Sequence, residues 1–427
     1  MHDWIKNNIF SESPGWDSYP ISIRIVNWIK FSLNGNNLSE EVIDSIGSQA
    51  YYLSKNIEYH LYGNHLLRNA KALCFAGIFI NSKYSKEWLK NGLAILDQEI
   101  DEQILKDGAH IELSPMYHSN CLEDFLDLIN LFRAYESSEL KSIEKKLEQS
   151  VIIMMNWLDK MCHPDGEISF FNDSAIGIAL KPSLINQYSK QLSINQFIKE
   201  KNEVTCFNDS GYIIVNNNQY KLICDVGEIG CKYVAGHGHA DILSFELSVS
   251  NKRLIVNSGT SIYGNSELRI NQRKTKSHNT IEINGKDSSE IWNGFRVGRR
   301  VSPFDIEIKG NTIKASYKSY KRLLNYHTHT REWKTSIDKI EIFDKIEGNF
   351  FSANSYFHFH PDITITLENN ILRLFDKATS CDFKLFVEGA VINVEDSFWY
   401  PEFGAKIPNK KIMLDLIDGY SKLTIGF

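Results

Sequence analysis

The chain has 427 residues, 42% hydrophobic and 12% aromatic, which exceeds one ordinary core and suffices for two domains. A formal net charge of -6 excludes a general nucleic-acid or membrane-surface binder, since either calls for a broad basic face. No uncharged apolar run is long enough to insert into a bilayer, and the seven cysteines, without a CxxC pair, read as reduced, mostly buried thiols.

The opening Met1-His2-Asp3-Trp4-Ile5-Lys6 lacks the basic-then-apolar pattern of an export signal. The expectation is a cytoplasmic protein or a chain whose true beginning lies upstream. From residue 20 to about 158, apolar residues recur at steps of three and four, as in Ile21, Ile25, Trp28, Ile29 and in Leu122, Phe125, Leu126, Ile129, Phe132. This spacing predicts helices over 20–33, 39–57, 64–81, 84–105, 115–135 and 138–160, broken at Gly35, Gly63, Gly108 and the His163-Pro164-Asp165-Gly166 turn. Short links make antiparallel hairpins, and several in a ring would form an incomplete α/α toroid.

Residues 181–201 read as a connector. Beyond about residue 202 the texture changes to short alternating strands, such as Tyr212-Ile213-Ile214-Val215, Arg253-Leu254-Ile255-Val256 and Thr280-Ile281-Glu282-Ile283, with Asn-Gly and Asp-Gly turns between them. The expected organisation is α+β and multidomain: an N-terminal helical incomplete toroid over 1–200, then a C-terminal antiparallel β-sandwich over 201–427.

Four stretches carry chemistry. Asn64-His65 follows Gly63 at a helix start, where the amide can point out of the helix end; a plain helix cap is the alternative. Ser114-Pro115-Met116-Tyr117-His118 starts another helix, with Ser114 as cap and Tyr117 in the first turn. There the helix terminus and nearby cations would favour loss of the phenol proton, unless Tyr117 is simply a half-buried aromatic. Gly236-His237-Gly238-His239-Ala240-Asp241, read as extended strand, projects His237, His239 and Asp241 from one face. His239 and His278, with an oxygen ligand between them in sequence, would suit a divalent ion such as zinc. Between residues 268 and 300 there are eight Lys or Arg against three Asp or Glu, a local surplus suited to a polyanion or merely a solvated face.

Together, Asn64-His65, Ser114-Pro115-Met116-Tyr117-His118, His163-Pro164-Asp165-Gly166, Phe171-Asn172-Asp173, Gly236-His237-Gly238-His239-Ala240-Asp241 and Ser277-His278-Asn279-Thr280 resemble, in kind and order, the heparinase II/III family of polysaccharide lyases. The resemblance implies an α/α toroid followed by an antiparallel β-sandwich, with the active site in the cleft between them. It carries carboxylate binding to Asn64, general base or acid to His65 and Tyr117, and a further catalytic role to His237. His118, Arg273 and Asn279 are taken as substrate contacts. The metal site falls on His239, Asn257 and His278; Asn257 stands where the family often has an aspartate, and an amide binds zinc less well than a carboxylate. Members of this kind usually meet polymer outside the cytoplasm. The helical part also looks short at its start, which would leave the toroid open or the protein truncated.

The implied reaction is β-elimination on a uronate-containing acidic polysaccharide. Removing the C5 proton beside a carboxylate builds a dianionic, enolate-like centre, and donors aimed at the carboxylate must neutralise it. Asn64 and a histidine would do so. Tyr117, or a histidine on the opposite ring face, would take the proton, and Tyr117 would return one to the leaving oxygen. A glycoside hydrolase would need two carboxylates across the bond; Glu112 and Asp173 are candidates, in capping or turn contexts. A third alternative is a non-catalytic acidic-glycan-binding protein, for instance in surface-polysaccharide synthesis.

Overall fold

Along the helix Ser18–Leu33 the fully buried side chains are Ile21, Ile25 and Ile29, a step of four that keeps one stripe turned inward. Steps of four and three do the same in Ile46, Ala50 and Leu53 of Glu40–Lys55 and in Leu66, Ala70 and Leu73 of Gly63–Phe79. The structure, a computed structural model, describes residues 1–427 apart from 13, 195–202, 234, 320–325, 369–370 and 378–380. The domain boundary expected at 200/201 lies outside the described residues. Among them, no helix is long and apolar enough to cross a membrane.

The chain divides into two compact units. The first takes in Met1–Ile111, Ser119–Asn156 and Leu184–Phe197, and its described part is helical. Gly63–Phe79 packs on both Ser18–Leu33 and Ser85–Gln103. Its approach to the latter is close because glycines face the contact from both sides: a Cβ on Gly92 would come 2.7 Å from Cys74 Sγ, and one on Gly77 2.7 Å from the Leu89 nitrogen. Buried charge is paired rather than excluded. Lys71 Nζ reaches Asp124 Oδ1 at 2.8 Å and Asp127 Oδ2 at 2.5 Å, and Lys30 joins Asp127 at 2.9 Å. Two helices go beyond the sequence expectation. His2–Asn7 is held by Trp4, whose ring lies 5.8 Å from those of Trp16 and Trp28. Pro182–Gln191 replaces the expected connector, with Pro182 in its first turn and Ile185 and Ser189 buried one turn apart.

The second unit comprises Glu112–His118, Trp157–Ser183 and Ile198–Phe427. Among the described residues it holds four antiparallel sheets. Val204–Phe207, Tyr212–Asn216, Tyr220–Asp225, Phe245–Val249 and Lys252–Ile255 form a five-stranded meander in chain order. An eight-stranded sheet has Lys339–Gly348 between His327–Thr335 and Tyr420–Gly426. A four-stranded sheet runs Ala390–Trp399, Ile407–Leu416, Ala353–His358, Ile281–Ile283, and a small hairpin joins Glu290–Asn293 to Arg296–Gly298. One hydrophobic core serves the first three, drawing in Leu222, Phe245, Trp333, Phe357, Leu385 and Leu414. The period-two burial along His327–Thr335 is the signature of strands with one face on such a core.

Candidate active site

Asp173, fully buried in the turn after Phe171-Asn172, gathers the residues around it. Its Oδ2 accepts from His237 Nδ1 at 2.8 Å and its Oδ1 from His239 Nε2 at 2.8 Å. The guanidinium of Arg269, also buried, grips the same carboxylate, with Nη2 2.7 Å from Oδ2 and Nη1 on Oδ1. Burial alone would push the Asp173 carboxyl up, but Arg269 and the two histidine hydrogen bonds hold it well below the usual carboxylate range. An ionised Asp173 fixes the hydrogen of His237 on Nδ1 and leaves Nε2 for a ligand.

Tyr117 comes to the same point from the first turn of the helix Pro115–Ala134. Ser114 caps that helix, its Oγ accepting from the Tyr117 nitrogen at 3.2 Å while donating to the Asp173 carbonyl at 2.6 Å. Cap and carboxylate are therefore one assembly. The rings of Tyr117 and His237 lie 4.1 Å apart at 37°, and Tyr117 Oη is 2.7 Å from Tyr263 Oη. Tyr263 packs on Phe295 and Phe403 and lies under the Arg269 guanidinium. Burial, followed by the Asp173 charge, pushes its phenol well above the ordinary tyrosine value, so Tyr263 keeps its proton and can donate it whenever the Tyr117 oxygen carries charge.

The motif 236–241 is not a strand. It runs as turns and irregular backbone ahead of Phe245–Val249, because Gly238 packs against Gly230, where a Cβ would come 3.2 Å from its Cα. The histidines converge on Asp173 from this loop instead. Asp241 is also buried, and its Oδ2 lacks a hydrogen-bond partner among the described residues.

His239 is neutral near pH 7, its value lowered to about 4 by burial against the partial offset of Asp173. Its Nδ1 faces His278 Nε2 at 3.2 Å, close to the separation of about 3.3 Å that two zinc–nitrogen bonds at a tetrahedral angle give. Asn257 Oδ1, however, lies 3.4 Å from the other nitrogen of His278, Nδ1, and does not join them. As placed, the three do not converge on one point, and two imidazoles fall short of the three or four ligands zinc uses. Among the described residues no group of three or more His, Cys, Asp or Glu is arranged to hold a metal ion. A hydrogen bond from His278 Nε2 to His239 Nδ1 accounts for the contact.

Asn64 and His65 belong to the helical unit. Both open the helix Gly63–Phe79, after Tyr62 and Gly63 at φ 58° and 57°. Asn64 is buried. His65 Nδ1 pairs with Glu58 Oε1 at 3.2 Å and its ring lies 4.4 Å from Tyr19. Burial favours the neutral Glu58 carboxyl, yet the hydrogen bonds from His65 and Asn69 draw it below its ordinary value, so a carboxylate backs His65.

Two family models match the chain: Heparinase II/III N-terminus over residues 1–201 and Heparinase II/III-like, C-terminal, over 199–417. The chain belongs to the heparinase II/III family. It is 27% identical over 268 residues to a heparin-sulfate lyase of Pedobacter heparinus, covering 58% of this chain and 40% of that protein. To a heparin-sulfate lyase of Bacteroides stercoris it is 28% identical over 288 residues, 62% of this chain and 41% of that one. The chain thus spans less than half the length of these curated relatives. A crystal structure of heparinase III superposes with a TM-score of 0.81 at 18% identity, over 99% of this chain and 72% of that one. The fold is that of heparinase III, a helical toroid part followed by an antiparallel β-sandwich part.

Within this heparinase II/III fold the three expected substrate contacts are buried. Arg273 spends its donors on the carbonyls of Gly238, at 2.6 Å, and Asn293, at 2.6 Å. Asn279 donates to the Phe245 carbonyl and accepts from the His358 nitrogen. His118 packs on Trp157 at 4.5 Å. Each is needed by its own backbone or core, which a run of charges or a motif neighbour does not reveal. The hydrolase candidates fare no better, since both Asp173 oxygens are taken and Glu112 is buried. Sequence reasoning missed Tyr263 and Arg269, and passed over Asp173 as an orienting group. Asp173 had a signal in its place in the motif turn and Arg269 lay within the basic run 268–300, while Tyr263 had none.

Proposed function

We propose that this chain is an eliminative lyase acting on a uronate-containing acidic polysaccharide of the heparan-sulfate kind. The observation that carries the reading is the contact of Tyr117 with His237, one hydrogen-bonded to a second phenol and the other to a buried carboxylate. The names of its relatives agree in supporting a sulfated glycosaminoglycan substrate.

In the proposed reaction Tyr117 takes the C5 proton of the uronate. The C5–H electrons form the C4=C5 double bond, the C4–O bond breaks, and its electrons leave with the glycosidic oxygen, which receives a proton from Tyr117. Tyr263, which keeps its own proton, stabilises the Tyr117 oxygen while it carries charge. His237, held by Asp173 through Nδ1, supports the enolate-like charge at the substrate carboxylate when Nε2 also carries a proton and donates it there as a hydrogen bond. The roles of Asn64 and His65 as carboxylate donor and second proton-transfer group rest on the resemblance of the Asn64-His65 step alone. No step is assigned to a metal ion.

The test is absorbance near the ultraviolet edge during incubation with acidic polysaccharides, heparan sulfate first. The elimination product carries the unsaturated uronate and absorbs. New reducing ends without absorbance would make the chain a hydrolase, and binding without either would make it a glycan-binding protein.

A further inference from the structure

The hairpin Glu290–Asn293/Arg296–Gly298 is pinned from beneath by the two buried arginines that also organise the candidate site. Arg269, bound to Asp173 at one end, donates through Nε to the Gly294 carbonyl at 3.0 Å. Arg273, bound to the Gly238 carbonyl, donates to those of Asn293 at 2.6 Å and Arg296 at 3.4 Å. Gly294 fits only as glycine, since a Cβ there would come 1.8 Å from the Gly264 carbonyl oxygen. The tip is therefore fixed relative to Asp173 and His237, and Phe295 at its end lies 6.1 Å from the His237 ring and 5.1 Å from Tyr263.

What this rigid hairpin displays is unusual for a surface. Trp292 is 59% exposed, its indole lying beside Gly298, where a Cβ would come 3.6 Å from Nε1. Phe295 is 37% exposed, and Arg296 is exposed with no carboxylate partner among the described residues. An exposed indole and a guanidinium on a stiff support next to a site suit a ligand with a flat apolar face and an anionic substituent. A pyranose bearing a carboxylate or sulfate has both.

We propose that the hairpin is a binding platform for a sugar unit neighbouring the reacting uronate, Trp292 stacking on its ring and Arg296 pairing with its anionic group. This deepens the lyase reading and rests on it for the identity of the polymer. Heparan sulfate and the same polymer after chemical desulfation are the probes.

Trp292→Ala is expected to raise KM for heparan sulfate about tenfold, with kcat within about twofold, as loss of one aromatic contact implies. Trp292→Phe should restore most of the loss. Arg296→Ala should raise KM more for the sulfated than for the desulfated polymer. Phe351→Ala, at a position 79% exposed elsewhere, is the control, and thermal melts check that each variant folds. Unchanged KM in Trp292→Ala overturns the platform. If the wild-type protein produces no unsaturated product, the lyase reading fails separately, and calorimetric titration of the same polymers into wild type and Trp292→Ala then decides the platform, equal affinities overturning it.

Discussion

The hydroxyls of Tyr117 and Tyr263 lie 2.7 Å apart although 146 residues separate them in sequence. Because burial keeps Tyr263 protonated, its hydrogen is available whenever the Tyr117 oxygen carries charge. Tyr117→Phe should lower kcat by about 10²–10⁴, the usual share of a general acid–base group. Tyr263→Phe removes one hydrogen bond to a charged oxygen, about 1.5–3 kcal/mol, and should lower kcat about 10- to 100-fold with KM little changed. Steady-state rates on heparan sulfate measure both. A Tyr263→Phe enzyme with wild-type kcat would take Tyr263 out of the chemistry.

Asp173 joins stability to catalysis. Asp173→Asn leaves the Arg269 guanidinium buried without its counter-charge, at a cost of about 3–5 kcal/mol, and frees His237 to change tautomer. Urea unfolding should show the loss of stability, and kcat should fall further than the remaining folded fraction explains. Unchanged stability would mean that Arg269 finds compensation elsewhere and that Asp173 is not the hub.

Local periodicity reveals the helices because a stripe of apolar residues every 3.6 positions is a local property, as Ile21, Ile25 and Ile29 illustrate. The Ser114 cap is local too. Asp173, Arg269 and Tyr263 were hidden because their meeting depends on strand order and loop path, and Arg269 lies 96 residues from the carboxylate it grips. Arg273 illustrates the converse. In a basic run it resembles a polyanion contact, but the fold turns it inward to hold backbone carbonyls. The extended reading of His237 and His239 failed at Gly238, which packs against Gly230, a residue 8 positions earlier that no local pattern ties to it.

Asn257 decides the metal question. With Asn257 Oδ1 on the far nitrogen of His278 and no carboxylate in the set, purified protein should hold no stoichiometric zinc, and a chelator should leave its melting temperature unchanged. Asn257→Asp supplies the charge an oxygen ligand needs, and its melting temperature should rise on addition of zinc. Stoichiometric metal in the wild-type protein, released together with a drop in melting temperature, would show that the histidines and the amide rearrange to ligate.

Arg331 and Asp344, directly paired across neighbouring strands, make the β core sensitive to acid. Arg331 Nε and Nη2 reach the two Asp344 oxygens at 2.7 and 2.8 Å, and Nη1 holds the Leu243 carbonyl at 2.9 Å. Burial favours the neutral Asp344 acid, but the Arg331 charge and the hydrogen bonds from Arg331 and His329 prevail, keeping the carboxyl well below the usual range. A depressed carboxylate stabilises the fold above its unfolded value of about 3.9, and that contribution disappears as pH falls below 3.9 toward the folded value. His329 acts in the same direction at higher pH. Burial, only partly offset by Asp344, lowers its value, so the unfolded chain takes up a proton below about 6.5 that the folded one resists. The stability contributed by Asp344 and His329 should therefore fall from about pH 6.5 downward and more steeply below about pH 4. Asp344→Asn should cost about 3–5 kcal/mol at pH 7, and its deficit should narrow below pH 4, where wild type loses the same interaction. Urea midpoints at pH 7, 5 and 3.5 measure this, and a deficit independent of pH would assign the loss to packing.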